Sequence, residues 1–398
     1  MISILTVLFV VSLIGLIWTY IGYQLFLIFL SKIVKKEHYF DDNFIPPVTL
    51  LIIVHNEEKV IKRKIENSLN LAYPKDKLEI IVVDDGSNDK TRDFVKEYKR
   101  AGVKLVEQNP RKGKASAINL GVKHANGEII IITDGNSMLN KEALKKLVRH
   151  FCDPLIGGVG GRYEPKNPEG RDVGLGSMMY WKLERFVREK ESAVDSIIGM
   201  NGNIAAIRKD IMHKVDEDLL VEDFDMTVNL RKKGFRVLYE PEALAWKLAP
   251  SSLKDEIIQK KRRIIGTIQT LSRHKSVLFN PKYGLYGILI LPSHKLFQML
   301  LPYLFVLLVI SSFSLYLAAE SIFIHLFFYL LITFLAFSAI LILFLYLKPN
   351  TKFLPFILLK YFFIQYYEVL IGWLDYLKGN YQVTWEKAES TREELMDE

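Results

Sequence analysis

An α/β fold with a mostly parallel sheet, flanked by transmembrane α-helices at both ends of the chain, follows from three features of the sequence. Residues Met1 to Ser31 carry no charged side chain. From Pro46 onwards, short apolar runs alternate with segments of helical spacing, the order of a parallel sheet joined by right-handed crossovers. After Pro281 the chain turns apolar again over long stretches. Composition agrees: 398 residues with 50% hydrophobic and 25% charged side chains and a mean hydropathy of +0.14 imply apolar and charged blocks held apart. The single cysteine, Cys152, excludes an internal disulfide framework and a cysteine-based zinc site. It reads as a small buried apolar side chain. A net charge of +8 suits nucleic acid, anionic lipid or a phosphorylated small molecule. Without a basic tail, zinc finger or RNA-binding aromatic signature, nucleic acid is the weakest of these, and none is expected as a partner.

A helix over residues 1–31 would be about 45 Å long, enough for a hydrocarbon core of about 30 Å. It lacks the basic start and small-residue cleavage site of a signal peptide. Lys32, Lys35 and Lys36 follow it directly, so the positive-inside rule places residues 46–250 in the cytoplasm. Within that α/β domain, strands are expected at Val48–Val54, Leu78–Val83, Val103–Val106 and Glu128–Thr133. Helices are expected at Glu57–Leu71, Asp89–Arg100 and Ala115–Ala125. Residues Asn140 to Lys247 alternate less regularly, with helices at Leu175–Lys190 and Val221–Lys233 and strands at Ile204–Ile207 and Phe235–Tyr239. Gly157 to Gly161 lacks the spacing of a dinucleotide fingerprint and reads as a tight backbone passage. Residues 251–297 form an amphipathic, interfacial region. Its first helix, Lys254–Leu271, carries the basic run Gln259 to Arg263, which by itself also suits a helix on an anionic membrane surface. Residues 298–377 form the C-terminal membrane region, with spans at Met299–Ala319 and Ser321–Leu347. Residues 353–377 carry Tyr361, Gln365, Glu368 and Asp375 on one stripe, which fits either a span facing other helices or a helix lying in the interface. A polar tail, 378–398, ends the chain.

The chemistry gathers at strand ends. The run Ile129 to Thr133 is apolar enough to be buried on both faces, and it stops on Asp134-Gly135-Asn136. A strand that delivers a carboxylate to its C-terminal edge is how open α/β sheets build sites. Asp134 and Asn136 are oxygen donors suited to Mg²⁺ or Mn²⁺, although Asp, Gly and Asn also end ordinary strands. Asn56-Glu57 and Asp84-Asp85 close two more strands of the same sheet. The turn after the first strand is acidic and free of glycine, which disfavours a nicotinamide or flavin site, and no Walker A sequence occurs. Pro110-Arg111-Lys112-Gly113-Lys114 is a basic loop before a helix, a solvated charge run or a phosphate cradle. Set among three acidic edges, it argues for a metal-chelated nucleoside diphosphate. Glu222-Asp223, at a helix start, reads as a general base for an acceptor or as acids opposing the helix dipole.

Taken together these motifs resemble the membrane-embedded family 2 glycosyltransferases of GT-A fold. Within them the sequence is similar to cellulose, hyaluronan and poly-N-acetylglucosamine synthases, from about Pro46 to Arg263. The resemblance implies that His55-Asn56-Glu57 is the first nucleotide-contacting turn and that Asp84 and Asp85 bind the nucleotide. It implies that Lys112, Gly113, Lys114 and Asn119 form the donor loop, and that Asp134 and Asn136 hold the metal. Asn201, Gly202 and Asn203, followed by Ala206 and Arg208, resemble the acceptor-side segment. Glu222-Asp223 matches the pair whose aspartate is the catalytic base. Gln259, Arg262 and Arg263 match the Gln-x-x-Arg-Trp motif, with Arg262 towards the diphosphate. Two departures stand out: Asn136 replaces a second metal aspartate, and Arg263 replaces the tryptophan that stacks the acceptor sugar.

The function so implied is inverting, metal-dependent transfer of a sugar from a nucleotide-sugar donor, most simply a UDP-sugar, to a growing membrane-associated glycan. Arg263 opens the alternative of a single transfer to a polyprenyl-phosphate or other lipid-linked acceptor. Asn136 opens that of a non-catalytic nucleotide-sugar-binding membrane protein. The expected setting is the cell membrane, multi-pass, with a homo-oligomer or accessory membrane subunit completing so small a set of spans.

Overall fold

A computed structural model of the chain describes residues 2–166, 172–250, 253–318, 320–347, 354–384 and 391. The chain starts with helix α1 (Ile2–Ile17), continued through a π-helical turn into α2 (Tyr23–Ile33). The α/β part follows in the expected order: β1 (Val48–Val54), α3 (Ile61–Leu69), β2 (Leu78–Asp85), α4 (Thr91–Glu97), β3 (Val103–Gln108), α5 (Lys114–His124) and β4 (Ile129–Asp134). Next come β5 (Met138–Leu139), α6 (Ala143–Val148), β6 (Ile156–Lys166), α7 (Asp172–Val194), β7 (Ala205–Arg208), α8 (Glu222–Lys232) and β8 (Arg236–Leu248). Four helices finish the chain: α9 (Leu253–Arg273), α10 (Phe297–Ala318), α11 (Ile322–Leu347) and α12 (Leu354–Lys378).

The eight strands form one sheet in the order β3-β2-β1-β4-β7-β6-β8-β5. The half built from β3, β2, β1 and β4 is parallel. β7 then enters antiparallel to both β4 and β6, so the second half is mixed. Side chains alternate between the two faces, as strand geometry requires. Leu50, Ile52, Val82, Ile129 and Ile131 pack against α3 and α6 on one face. Leu51, Ile53, Ile81, Ile130 and Ile132 pack against α5 and α8 on the other. The apolar runs are therefore buried twice over, as read from β4. Register places Val54 beside Asp84 and Ile53 beside Asp134, which brings the three acidic strand ends to one edge.

Three expectations change. The Gly157 to Gly161 stretch is a strand, the core of β6, and a tight one: a Cβ at Gly161 would lie 2.6 Å from the Ala243 carbonyl oxygen. The region 283–297 does not lie loose at an interface. Its π-helical turns join α10 into one apolar helix, Tyr286–Ala318, and Tyr286, Ile290 and Leu291 are buried with Tyr23, Leu27, Phe224 and Ile268 in a third core. Cys152 is half-buried instead of buried, with its thiol on the Arg149 carbonyl at 3.1 Å.

Among the described residues, three helices are long and apolar enough to cross a membrane: Ile2–Ile33, Tyr286–Ala318 and Ile322–Leu341. α1 lies along α10, with Gly15 facing Leu304. The polar stripe of α12 has a partner in α9. Glu368 lies 3.5 Å from Lys260 and Asp375 lies 2.6 Å from Lys261. The basic run of α9 thus meets acids within the protein, where sequence alone also allowed a lipid surface. Tyr361, on the same stripe, has its side chain outside the described residues.

Candidate active site

A cavity of about 680 Å³ opens at the C-terminal edge of the parallel strands and runs towards α10 and α12. Lining it are Glu57, Asp85, Lys114, Asp134, Asn136, Asn201, Gly202, Asn203, Glu222, Asp223, Gln259, Arg262 and Arg263. Thirteen sequence-selected residues from seven separate segments therefore share one cavity.

Lys114, the first residue of α5, links the two ends of the site. Its ammonium donates to Asp134 Oδ1 at 2.8 Å and to the Gly202 carbonyl at 3.4 Å, and it pairs with Glu222 Oε1 at 2.8 Å. Burial works against the charge, but the two carboxylates outweigh it and raise the Lys114 pKa. Asp134 also faces Lys247 of β8, 3.3 Å from its Oδ2. Burial opposes ionisation of Asp134, yet Lys114 and Lys247 hold its carboxyl well below the usual range. Asp223, at the start of α8, accepts from the Gly202 amide at 2.7 Å and from the Phe224 amide at 2.8 Å. Burial and the neighbouring Glu222 push its pKa up, against the pull of Lys114. Desolvation lowers the pKa of Arg262, which nevertheless faces Glu222 and Asp134 across the cavity. The two aspartates are thus tuned in opposite directions, one fixed as an anion and one made more basic.

Five of the selected residues support the site without lining it. Asp84 is fully buried and accepts from Arg92 Nε at 2.6 Å and from the Ser87 amide at 3.0 Å. It holds the turn after β2, so Asp85 alone of the pair reaches the cavity. Asp85 in turn clamps the basic loop: the amides of Lys112 and Gly113 donate to its Oδ1 at 2.8 and 3.1 Å. Lys112 and Gly113 therefore contribute backbone, and Lys112 points its side chain to solvent. Gly113 has φ +98, and a Cβ there would lie 2.8 Å from Val383, beyond α12. Asn56, at φ 51, accepts from the Asn88 amide at 2.8 Å and fixes the turn after β1. Asn119 spends its amide on the Val215 backbone, at 2.7 and 2.8 Å. Arg208, at the end of β7, donates to the carbonyls of Phe151, Asp153 and Ile156, away from the cavity.

The sequence reading missed several residues that the fold brings in. Lys247 belongs to a long strand with no motif. Tyr163 and Trp181 meet edge to face at 4.7 Å and, with Tyr180, form an aromatic wall of the cavity. Arg188 and Lys295 line its far end. Thr391 reaches Asn136, whose Nδ2 donates to it at 3.3 Å. Only Lys295, a charge inside an apolar stretch, left a mark in the sequence.

Among the described residues no group of three or more His, Cys, Asp or Glu is placed to hold a metal. That is compatible with a Mg²⁺ or Mn²⁺ ion, which takes one or two protein ligands and completes its shell with phosphate and water. The ionised Asp134 and the amide oxygen of Asn136 sit on one turn facing the cavity, and the donor set fits such an ion.

Comparison with known proteins bears on the family and the fold. Residues 49–216 match the profile of Glycosyl transferase family 2. A probable glycosyltransferase, YdaM of Bacillus subtilis, is 33% identical over 269 residues, covering 62% of this chain and 63% of that protein. Poly-beta-1,6-N-acetyl-D-glucosamine synthase of Staphylococcus epidermidis is 26% identical over 248 residues, covering 61% of this chain and 59% of that one. The chain thus spans about three fifths of the length of these curated relatives. In structure it is similar to the mannosyltransferase PcManGT from Pyrobaculum calidifontis, solved with GDP-Man and Mn²⁺. The TM-score is 0.71 at 20% identity, over 94% of this chain and 100% of that one. The chain carries a glycosyl transferase family 2 domain of GT-A fold, joined to helices long and apolar enough to span a membrane.

Proposed function

We propose that the protein transfers a sugar, with inversion, from a nucleotide-sugar donor to a hydroxyl of a membrane-associated glycan. One observation carries this reading: Lys114 joins Asp134, on the donor side, to Glu222 beside Asp223, on the acceptor side, within a single cavity. Asp223 is the base. Its raised pKa makes it a better proton acceptor than an ordinary aspartate, and backbone amides aim it. Asp134 and Asn136 hold Mg²⁺ or Mn²⁺, which when bound supplies positive charge to the departing diphosphate. Lys114, Lys247 and Arg262 add fixed cations around the same place. Glu57, Asp85 and Arg111 line the end assigned to the nucleotide. The Tyr163, Tyr180 and Trp181 wall offers the acceptor sugar the aromatic face that Arg263 no longer supplies. Relatives named as polysaccharide synthases support a glycan acceptor. The mannosyltransferase bound to GDP-Man leaves the donor base open between uridine and guanosine.

A second reading, single transfer to a lipid phosphate, rests on Lys295 and Arg263. Both line the cavity, and among the described residues neither forms a salt bridge with an acid. The two readings separate in one experiment. Membranes containing the protein are given radiolabelled nucleotide sugars and the products are sized. Long chains support the glycan acceptor, one sugar on lipid supports the second reading, and binding without turnover across the panel would leave only a nucleotide-sugar-binding role. Asp223→Asn should lose transfer while keeping donor binding; normal turnover in that variant refutes the assignment of the base.

For the membrane setting, the basic residues after α2 support a family 2 domain on the cytoplasmic face, by the positive-inside rule.

A further inference from the structure

Lys64 of α3 is completely buried, yet no reading of the reaction uses it. A lysine in a core is costly unless its charge is bonded, and Leu or Met would fill the same space more cheaply. Its ammonium lies directly beneath the turn that ends β4. There it donates to Thr133 Oγ1 at 3.1 Å and to the Ser137 carbonyl, gripping the turn on both sides of Asp134 and Asn136. An ammonium has no acceptor, so the Thr133 hydroxyl must accept from it and is left to donate onward. It does so to the Asn203 carbonyl, at 2.8 Å. The Ser137 hydroxyl donates to Asn203 Oδ1 at 2.9 Å, and Asn203 Nδ2 donates to Asn201 Oδ1 at 2.6 Å. Between those two asparagines stands Gly202, whose amide holds Asp223. Thr133 and Ser137 are themselves fully buried, so water does not compete for these bonds.

We propose that Lys64 is a positioning residue for the transfer reaction: its buried ammonium locks the Asp134–Ser137 turn to the Asn201–Asn203 loop, so that the metal-and-diphosphate end and the base end of the site keep one geometry. The inference rests on the function proposed above. It assigns Lys64 no contact with substrate. It predicts that removing the charge loosens the turn that presents Asp134 and Asn136 and, through Gly202, the aim of Asp223.

The test uses the full chain in detergent, with two measurements besides turnover: the melting temperature and the binding of Mn²⁺ in the presence of UDP or GDP, read from the loss of the free-ion paramagnetic resonance signal. Lys64→Met keeps the length of the side chain and removes the charge. It should weaken Mn²⁺–nucleotide binding and lower kcat, each by about 10- to 100-fold, the range seen when the support of a metal ligand is lost. Wild-type ion binding and kcat in a folded Lys64→Met protein overturn the proposal, even if the melting temperature falls. Should Lys64→Met not fold, Thr133→Val decides. It leaves Lys64 on the Ser137 carbonyl and Ser137 on Asn203 Oδ1, but removes the relay from Lys64 through the Thr133 hydroxyl to the Asn203 carbonyl, and it should cost at least threefold in kcat; an unchanged kcat overturns the proposal. A wild-type protein that binds neither Mn²⁺–UDP nor Mn²⁺–GDP would instead sink the functional reading, and the inference with it.

Discussion

On the proposed reading, Asp223 and Lys114 set the pH and charge requirements of the site. Asp223 has its pKa raised by burial and by Glu222. The base must be ionised to work, so activity should climb with pH through that raised value. The acid limb of kcat/KM should therefore lie above the ordinary aspartate range, and Asp223→Glu should move it. A limb at the ordinary value would argue that another group takes the proton. Lys114 bonds to Asp134 and pairs with Glu222 at the same time. Lys114→Met should cut kcat by about 10²–10³, the usual loss for one well-placed group opposing transition-state charge. It should also raise the donor KM, because Asp134 and Glu222 are then left buried with less compensation. Asp84 shows the limit of motif reading at this scale. Adjacent acids at a strand end look equivalent in sequence, but alternation along β2 turns one inward to Arg92 and the other towards the cavity.

Among the elements, α8 carries Asp223, the base we propose, and such a residue needs a fixed mount. Asp225, two residues beyond Asp223, is buried between His213 Nε2 at 3.1 Å and His274 Nε2 at 2.7 Å, the latter just past the end of α9. Burial disfavours the charge of Asp225, but the two imidazoles outweigh it and lower its pKa. A carboxyl with a lowered folded-state pKa stabilises the fold above its unfolded value, and that stability is lost as pH falls through the folded one. Asp225→Ala should thus cost about 3–5 kcal/mol near neutrality, as broken buried pairs do, and the variant should lose less stability than wild type on acidification. Thermal melts from pH 7 downwards check both. Much at this scale was legible beforehand. Val48–Val54 is predicted and found without change, and β4 ends at Asp134, one residue past its predicted limit, because apolar β-branched runs bounded by polar turns have few alternatives. β6 was not legible, since five residues that are nearly all glycine carry no hydrophobic period, and only close packing on Phe235 and Ala243 explains them.

For the whole molecule, the third core joins the helices that are long and apolar enough to span a membrane to the family 2 domain, through Tyr23, Leu27, Phe224, Ile268 and Tyr286. The site therefore has its far wall in α10 and α12, and its geometry depends on those helices being in place. The orientation can be read with the chain's one cysteine removed. In a Cys152→Ser background, Lys75→Cys, on the exposed turn before β2, should react with an impermeant maleimide in inside-out vesicles and not in right-side-out ones. Labelling of right-side-out vesicles would reverse the assigned topology. The sequence by itself determined the order of strands and helices, the apolar segments, and the chemical types needed for a diphosphate, a cation and a base. These follow from local periodicity and composition, which nearby residues carry. Only the tertiary structure decided that Asp85 and not Asp84 reaches the cavity, that Lys247 and Trp181 join it, that the basic run of α9 meets the acids of α12, and that Lys64 lies under the Asp134 turn. Each of those depends on which face a side chain takes once distant segments pack, and no local pattern records it.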